Sequence, residues 1–150
     1  MKLLPIEVEP YLNLNYNRNP ECLEILTVYP DYYRLIGFTK PWIGYFASIE
    51  GDQIVGCGGF KGKPREGKVE IAYGTFKNFE GQGIGTAVCR QLVLIALETD
   101  SSIRITAKTL VENNASTSIL KKNGFYLKEI VQDEEDGDVW EWEYKNGESV

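Results

Sequence analysis

The chain has no histidine among its 150 residues. That absence removes the usual general base near neutral pH, the commonest metal ligand and every Ser-His-Asp or Cys-His arrangement. Proton transfer must fall to carboxylates, Tyr, Lys, Cys, Ser or water. Cysteine is also scarce: Cys22, Cys57 and Cys89 are odd in number, far apart and without a C-x-x-C pair. Neither a disulfide framework nor a zinc site is indicated, no metal is expected, and the three read as ordinary buried thiols. No apolar run approaches the roughly 18–20 residues of a membrane span. The start of the chain, Met-Lys-Leu-Leu-Pro-Ile-Glu, lacks the long apolar stretch and cleavage site of a signal peptide. A soluble, cytoplasmic protein is expected. Basic residues are the minority, 16 against 22 acidic, and the resulting net charge of −6 argues against a nucleic-acid binder, which needs a cationic surface. It suits a cationic substrate such as an amine.

What is present fits one domain over residues 1–150, with a loose tail at 146–150. Residues 21–28 read as a short helix, followed by a turn-rich aromatic segment, 29–33, that ends near Gly37. Residues 42–50 and 53–60 read as strands joined by a two-residue hairpin turn at Gly51-Asp52. After a polar loop at 61–67 comes a third strand, 68–76, in which Val69, Ile71 and Tyr73 alternate with Glu70, Ala72 and Gly74.

The most informative segment follows directly. Residues 80–87, Glu-Gly-Gln-Gly-Ile-Gly-Thr-Ala, set three alternate glycines where a polar loop turns into an apolar helix, 84–98, with a core-facing stripe at helical spacing. Glycines permit conformations and approaches that a Cβ forbids, and a helix's first turn offers unpaired N–H groups at the positive end of its dipole. A phosphate or pyrophosphate is the natural guest. A dinucleotide fingerprint needs G-x-G-x-x-G after the first strand; here Val88 stands where the third glycine belongs, and no Gly-Lys-Ser/Thr follows as in a Walker loop. A strand at 102–109, a helix at 114–123 capped by Gly124, and a hairpin of 125–131 with 139–144 across an acidic loop complete a mixed α/β order.

The strand before the glycine loop, the loop, its helix, and the segment Glu112-Asn113-Asn114-Ala115-Ser116-x-x-Ile119-Leu120-x-x-x-Gly124-Phe125 resemble the GNAT superfamily of acyl-CoA-dependent N-acetyltransferases. The style is closest to its ribosomal-protein and small-amine branch. The resemblance covers about residues 40–145, and Gly83, Gly85, Asn113, Ser116, Gly124 and Phe125 match the signature. It implies a mostly antiparallel sheet, flanked by helices, with a parallel strand pair splayed at a cofactor slot. It implies acetyl-CoA as acyl donor, its pyrophosphate on the backbone amides of Gly81, Gln82, Gly83, Ile84, Gly85 and Thr86. The pantetheine would pair like an extra strand with Tyr73, Gly74 and Thr75, and Asn113 would hydrogen-bond the cofactor. Two departures stand out: Glu80 replaces the usual Gln or Arg, and Leu120 stands where many members carry the Tyr that protonates the departing thiolate.

Two residues are catalytic candidates. Glu70 lies on the strand that would hold the pantetheine, where several family members use a Glu to take the amine's proton; the plain alternative is a solvated strand residue. Ser116 could supply the missing acid, or serve as a hydrogen-bonding residue at a helix start, the commoner fate of Ser there. Asn113 could likewise cap that helix, and Lys121 and Lys122 read as structural cations at its end. Tyr29, Tyr32, Tyr33, Trp42 and Tyr45 could wall an acceptor pocket or belong to the core, and the acidic loop 133–138 could attract a cationic amine or merely solvate. The expected function is acetyl transfer to a primary amine, on a small molecule or a protein N-terminus. The alternative is a non-catalytic acyl-CoA sensor on the same fold. A monomer or homodimer is expected, with the strand 139–144 a possible contact between subunits.

Overall fold

The computed structural model describes residues 1–146; of the tail expected to be loose, residues 147–150 lie outside the described residues. One seven-stranded sheet organises them. In chain order its strands are β1 (Lys2–Pro5), β2 (Gly44–Ile49), β3 (Gln53–Phe60), β4 (Lys68–Thr75), β5 (Arg104–Leu110), β6 (Phe125–Asp133) and β7 (Gly137–Tyr144). The spatial order is β1-β2-β3-β4-β5-β7-β6, antiparallel throughout except for the parallel pair β4 and β5. That pair exists because the helix α2 (Ile84–Thr99) carries the chain back across the sheet between them. Helices α1 (Pro20–Ile36) and α3 (Ala115–Lys122) complete the fold.

Pairing of β4 with β5 runs only from Lys68 opposite Arg104 to Ile71 opposite Ala107. Beyond it the strands diverge: β4 continues to Thr75 along β3, while Lys108, Thr109 and Leu110 of β5 pair with β7. The expected splay is there, and among the described residues no strand covers the β5-facing edge of Tyr73, Gly74 and Thr75. The apolar stripe of α2 supplies the cover beneath, with Ile84, Val88, Leu92, Val93 and Ala96 buried against β3 and β4. Leu94 of the same helix faces solvent.

Helix α1 overturns the reading of a short helix followed by a turn-rich segment: it runs 17 residues, straight through Pro30. Asn19 caps its start, accepting from the N–H groups of Glu21 and Cys22, and Gly37 ends it at φ 88°. An internal proline costs a helix about 3 kcal/mol, but here tertiary packing outweighs it. Tyr33 is buried, its hydroxyl donating to Ile6 O at 2.7 Å and accepting from Gly44 N–H at 3.0 Å, and Tyr29 packs edge-on against it. The hairpin at Gly51-Asp52 also differs from the expected two-residue turn. Ile49 pairs with Gln53, so three residues form the turn, with Gly51 and Asp52 both at positive φ. Two N-terminal features left no sequence signal: β1, which pairs with β2, and a 3-10 turn at Pro10–Tyr16. Strand β7 lies between β5 and β6, so its backbone is engaged on both sides and it cannot extend a sheet into another subunit; the edge strands are β6 and β1.

Candidate active site

The glycine loop delivers the chain into α2 through two left-handed residues, Gly81 at φ 78° and Gly83 at φ 80°. An L side chain would be strained at either position. Gly83 is the residue preceding the helix and provides no side-chain cap, so the first-turn N–H groups of α2 are left to a ligand. Gly85, inside that turn, lets α3 come close: a Cβ there would sit 2.6 Å from Ile119 Cδ1. Asn123 pins the other end of the contact, its side-chain amide donating to Thr86 O at 3.2 Å and Ile119 O at 3.0 Å.

Between the β4 edge, the loop and α3 lies an open slot of about 450 Å³. Its walls include Tyr73, Gly74, Thr75, Gly81, Gly83, Ile84, Gly85 and Thr86, most of the residues expected to hold the cofactor, together with Ser116, the candidate acid. Gln82 and Asn113 are exposed and lie outside this lining. The cap of α3 is Asn114, not Asn113 or Ser116: its side chain accepts from Thr117 N–H at 3.1 Å, and Thr117 Oγ1 accepts from Asn114 N–H at 2.9 Å. Ser116 is thereby left exposed, with its carbonyl accepting from the Tyr73 hydroxyl at 3.3 Å.

Sequence reasoning missed the slot's cation. Lys121 behaves as expected of a helix-end cation, its ammonium 6.0 Å from the Trp142 ring. Lys122 lines the slot instead. It sets a positive charge in the cavity where Glu80 sets a negative one. A glycine cradle at a helix start, a cation and a free strand edge fit a ligand that joins a pyrophosphate to an amide chain, as CoA does.

On the far side of the slot a second cavity, about 720 Å³, is lined by Lys61, Lys108, Thr109, Ser116 and the turn from Gln132 to Asp136. Ser116 belongs to both cavities, so they meet at the first turn of α3. Glu70 is not part of that lining but is ion-paired to two of its residues, Lys61 and Lys108. Its Oε2 lies 2.7 Å from Lys61 Nζ and its Oε1 3.5 Å from Lys108 Nζ. Oε2 is inaccessible to solvent and has no well-aligned hydrogen bond, only the ion pair. Partial burial disfavours the Lys61 ammonium, yet Glu70 outweighs it and holds that group above its ordinary value. Asp133, at the base of the acidic turn, is held below the usual carboxylate range by backbone N–H groups of Asp136 and Glu135.

A third, smaller hollow of about 220 Å³ adjoins the β4 edge, with Tyr29 and Tyr32 as walls and Cys57, Gly58 and Gly74 among its other residues. Of the five aromatics expected to wall a pocket, these two do. Tyr33, Trp42 and Tyr45 are core residues. Cys22 and Cys89 are buried thiols pushed up to about 12 by desolvation, and Cys57, half-buried, is raised for the same reason.

The sequence profile of the acetyltransferase (GNAT) domain matches residues 15–126, which span the slot and both elements of its signature. The chain belongs to the GNAT acetyltransferase family. Among relatives, it is 37% identical over 76 residues to an uncharacterized N-acetyltransferase, YjdG, of Bacillus subtilis, a match that covers 50% of this chain and 45% of the relative. It is 40% identical over 58 residues to a ribosomal N-acetyltransferase homologue, YdaF, of the same organism, described as putative, covering 39% of this chain and 32% of that one. The matches thus span less than half of either relative.

GNAT folds of known structure superpose over nearly the whole length. A chimera of spermidine N-acetyltransferase SpeG from Vibrio cholerae and hSSAT has a TM-score of 0.70 at 14% identity, covering 96% of this chain and 95% of that one. RimL, a ribosomal L7/L12 alpha-N-protein acetyltransferase solved with coenzyme A, has a TM-score of 0.67 at 19% identity, covering 94% and 91%. At such identities these likenesses speak for the fold. Among the described residues no helix is long and apolar enough to cross a membrane.

Proposed function

We infer that the chain is a single-domain N-acetyltransferase that moves an acetyl group from acetyl-CoA directly to a primary amine. The observation that carries this reading is the slot, whose free β4 edge leads from the Gly81–Gly83 cradle to a junction with a second, charged cavity. Backbone N–H groups from Gly81 to Thr86 and the Lys122 ammonium hold the donor's phosphates. Tyr73, Gly74 and Thr75 align its amide chain, with one β4 N–H placed to polarise a carbonyl. When bound, the donor supplies a thioester, an acyl group activated towards an amine. Gln82 and Asn113 flank the slot and contribute from its rim.

The acceptor enters from the Lys61–Lys108 side, past the acidic turn, and Glu70 takes its proton directly or through water. Amines of a small molecule and of a protein N-terminus both suit an opening of this kind. RimL is described as acting on a ribosomal protein and SpeG as acting on spermidine, and both acceptor classes belong in the test. Cytoplasmic location, as a monomer or a homodimer, is part of the same reading.

One observation favours a second reading, a non-catalytic acyl-CoA sensor: Leu120 is fully buried and gives no proton where many family members place a Tyr. Calorimetric titration with CoA, paired with free-thiol release from acetyl-CoA over a panel of polyamines, amino acids and N-terminal peptides, separates the two. The enzyme reading requires CoA binding and amine-dependent thiol release. Binding without release supports the sensor, and loss of binding in Gly83→Val ties either one to the cradle.

A further inference from the structure

The hydroxyl of Tyr73 stands at the junction of the cavities. Tyr73 lines the slot and also the small hollow walled by Tyr29 and Tyr32. Its side chain crosses from β4 to the first turn of α3, where the hydroxyl meets the carbonyl of Ser116, the residue shared by the slot and the acceptor cavity. Among the described residues this is the hydroxyl's one hydrogen-bond partner. At 3.3 Å the contact is long for O–H···O, whose usual separation is about 2.7–2.8 Å, so a better acceptor entering the slot displaces it readily.

We propose that Tyr73 is a catalytic residue in its own right, its phenolic O–H donating to the thioester sulfur and stabilising the thiolate as the carbon–sulfur bond breaks. The inference rests on the acetyl-transfer reading of this slot and adds to it a donor from β4 in place of one from α3. Leu120, fully buried on α3, leaves that face without a donor of its own there. Desolvation raises the Tyr73 phenol above its ordinary value, with the Cys89 thiol adding to the rise, so at neutral pH the O–H is present as a donor. In the step itself the amine nitrogen bonds to the carbonyl carbon and the C–S pair goes to sulfur. The amine's proton leaves to Glu70 or water, and the thiolate, held by the Tyr73 O–H, takes its proton from solvent. Tyr73 donates a hydrogen bond throughout and need not ionise.

Two readouts test this, one independent of turnover. Thiolate absorbance of protein-bound CoA, titrated against pH, reports whether the O–H reaches sulfur. The expected result is a thiol that ionises at lower pH on the wild type than on Tyr73→Phe, with CoA binding by both proteins. Leaving-group dependence is the second. Tyr73→Phe should lower kcat by about 10–100-fold with acetyl-CoA, the loss of one hydrogen bond to a charged group, and the loss should shrink with an activated acetyl thioester of a more acidic thiol. An identical titration in both proteins, or a loss independent of the leaving group, overturns the proposal. So does finding the leaving-group dependence in Ser116→Ala alone, which assigns the role to that hydroxyl. No thiol release by the wild type with any amine overturns the acetyl-transfer reading and this inference together; normal wild-type turnover with an unaltered Tyr73→Phe overturns this inference alone.

Discussion

Lys61 Nζ lies 2.7 Å from Glu70 Oε2, and Lys108 approaches the other carboxylate oxygen at 3.5 Å; both lysines line the charged cavity. The carboxylate proposed to take the amine's proton is therefore embedded between two cations. An incoming ammonium has to exchange with one of them or pass its proton through water. Glu70→Gln is expected to lower kcat at neutral pH with CoA binding intact. Because Lys61 is raised above its ordinary 10.5, its contribution to stability is whole below that pH and is lost as pH climbs through the raised value. Melting temperatures of wild type and Lys61→Met should converge only in strongly alkaline buffer.

Gly56 tests how tightly the slot edge is built. A Cβ there would lie 2.6 Å from the carbonyl oxygen of Gly74 and 3.3 Å from Thr75 Cα, both backbone atoms that cannot swing aside. Gly56→Ala should cost about 1–3 kcal/mol, lowering Tm by roughly 2–10 °C. Since the displaced strand is the one proposed to pair with the donor, CoA affinity should fall with it, as read by calorimetry.

Lys122 and Glu80 place opposite charges in the same slot. With a polyanionic ligand, Lys122→Ala is expected to weaken CoA binding and Glu80→Gln to strengthen it, each by roughly two- to fivefold at low salt. Both effects should fade as ionic strength rises.

The acidic turn gives a corresponding test for the acceptor. Neutralising Asp133, Glu134, Glu135 and Asp136 together should raise the KM of a cationic amine, more at low salt than at high, with CoA affinity unchanged. Asp133 is held below its ordinary value, so the hydrogen bonds that shape this turn persist above the ordinary carboxylate range and are lost as pH falls through the lowered value. A KM indifferent to both charge and salt would leave the turn as solvated surface.

Much of this arrangement was legible in the sequence because local chemistry and tertiary role coincide there. Alternate glycines ahead of an apolar stripe form the cradle, the alternation at Val69, Ile71 and Tyr73 forms β4, and Gly124 closes α3 at φ 84°. Where the two part company the reading failed. Pro30 looks like a stop, yet Tyr33 anchors α1 to Ile6 and Gly44, residues distant in sequence. Lys122 resembles any lysine at a helix end until α3 is seen against the loop. Which of five aromatics line a hollow depends on how α1 lies on the sheet, a relationship that no pattern of spacing carries.

Direct transfer is the central claim, and its test is a single turnover. Protein mixed with equimolar acetyl-CoA and an accepted amine is quenched over time and analysed by intact-protein and small-molecule mass spectrometry. The account predicts free CoA and N-acetylated amine appearing together in equal amounts, with no acetylated protein at any time. Release of CoA before product, with an acetyl group carried on the chain, would contradict it.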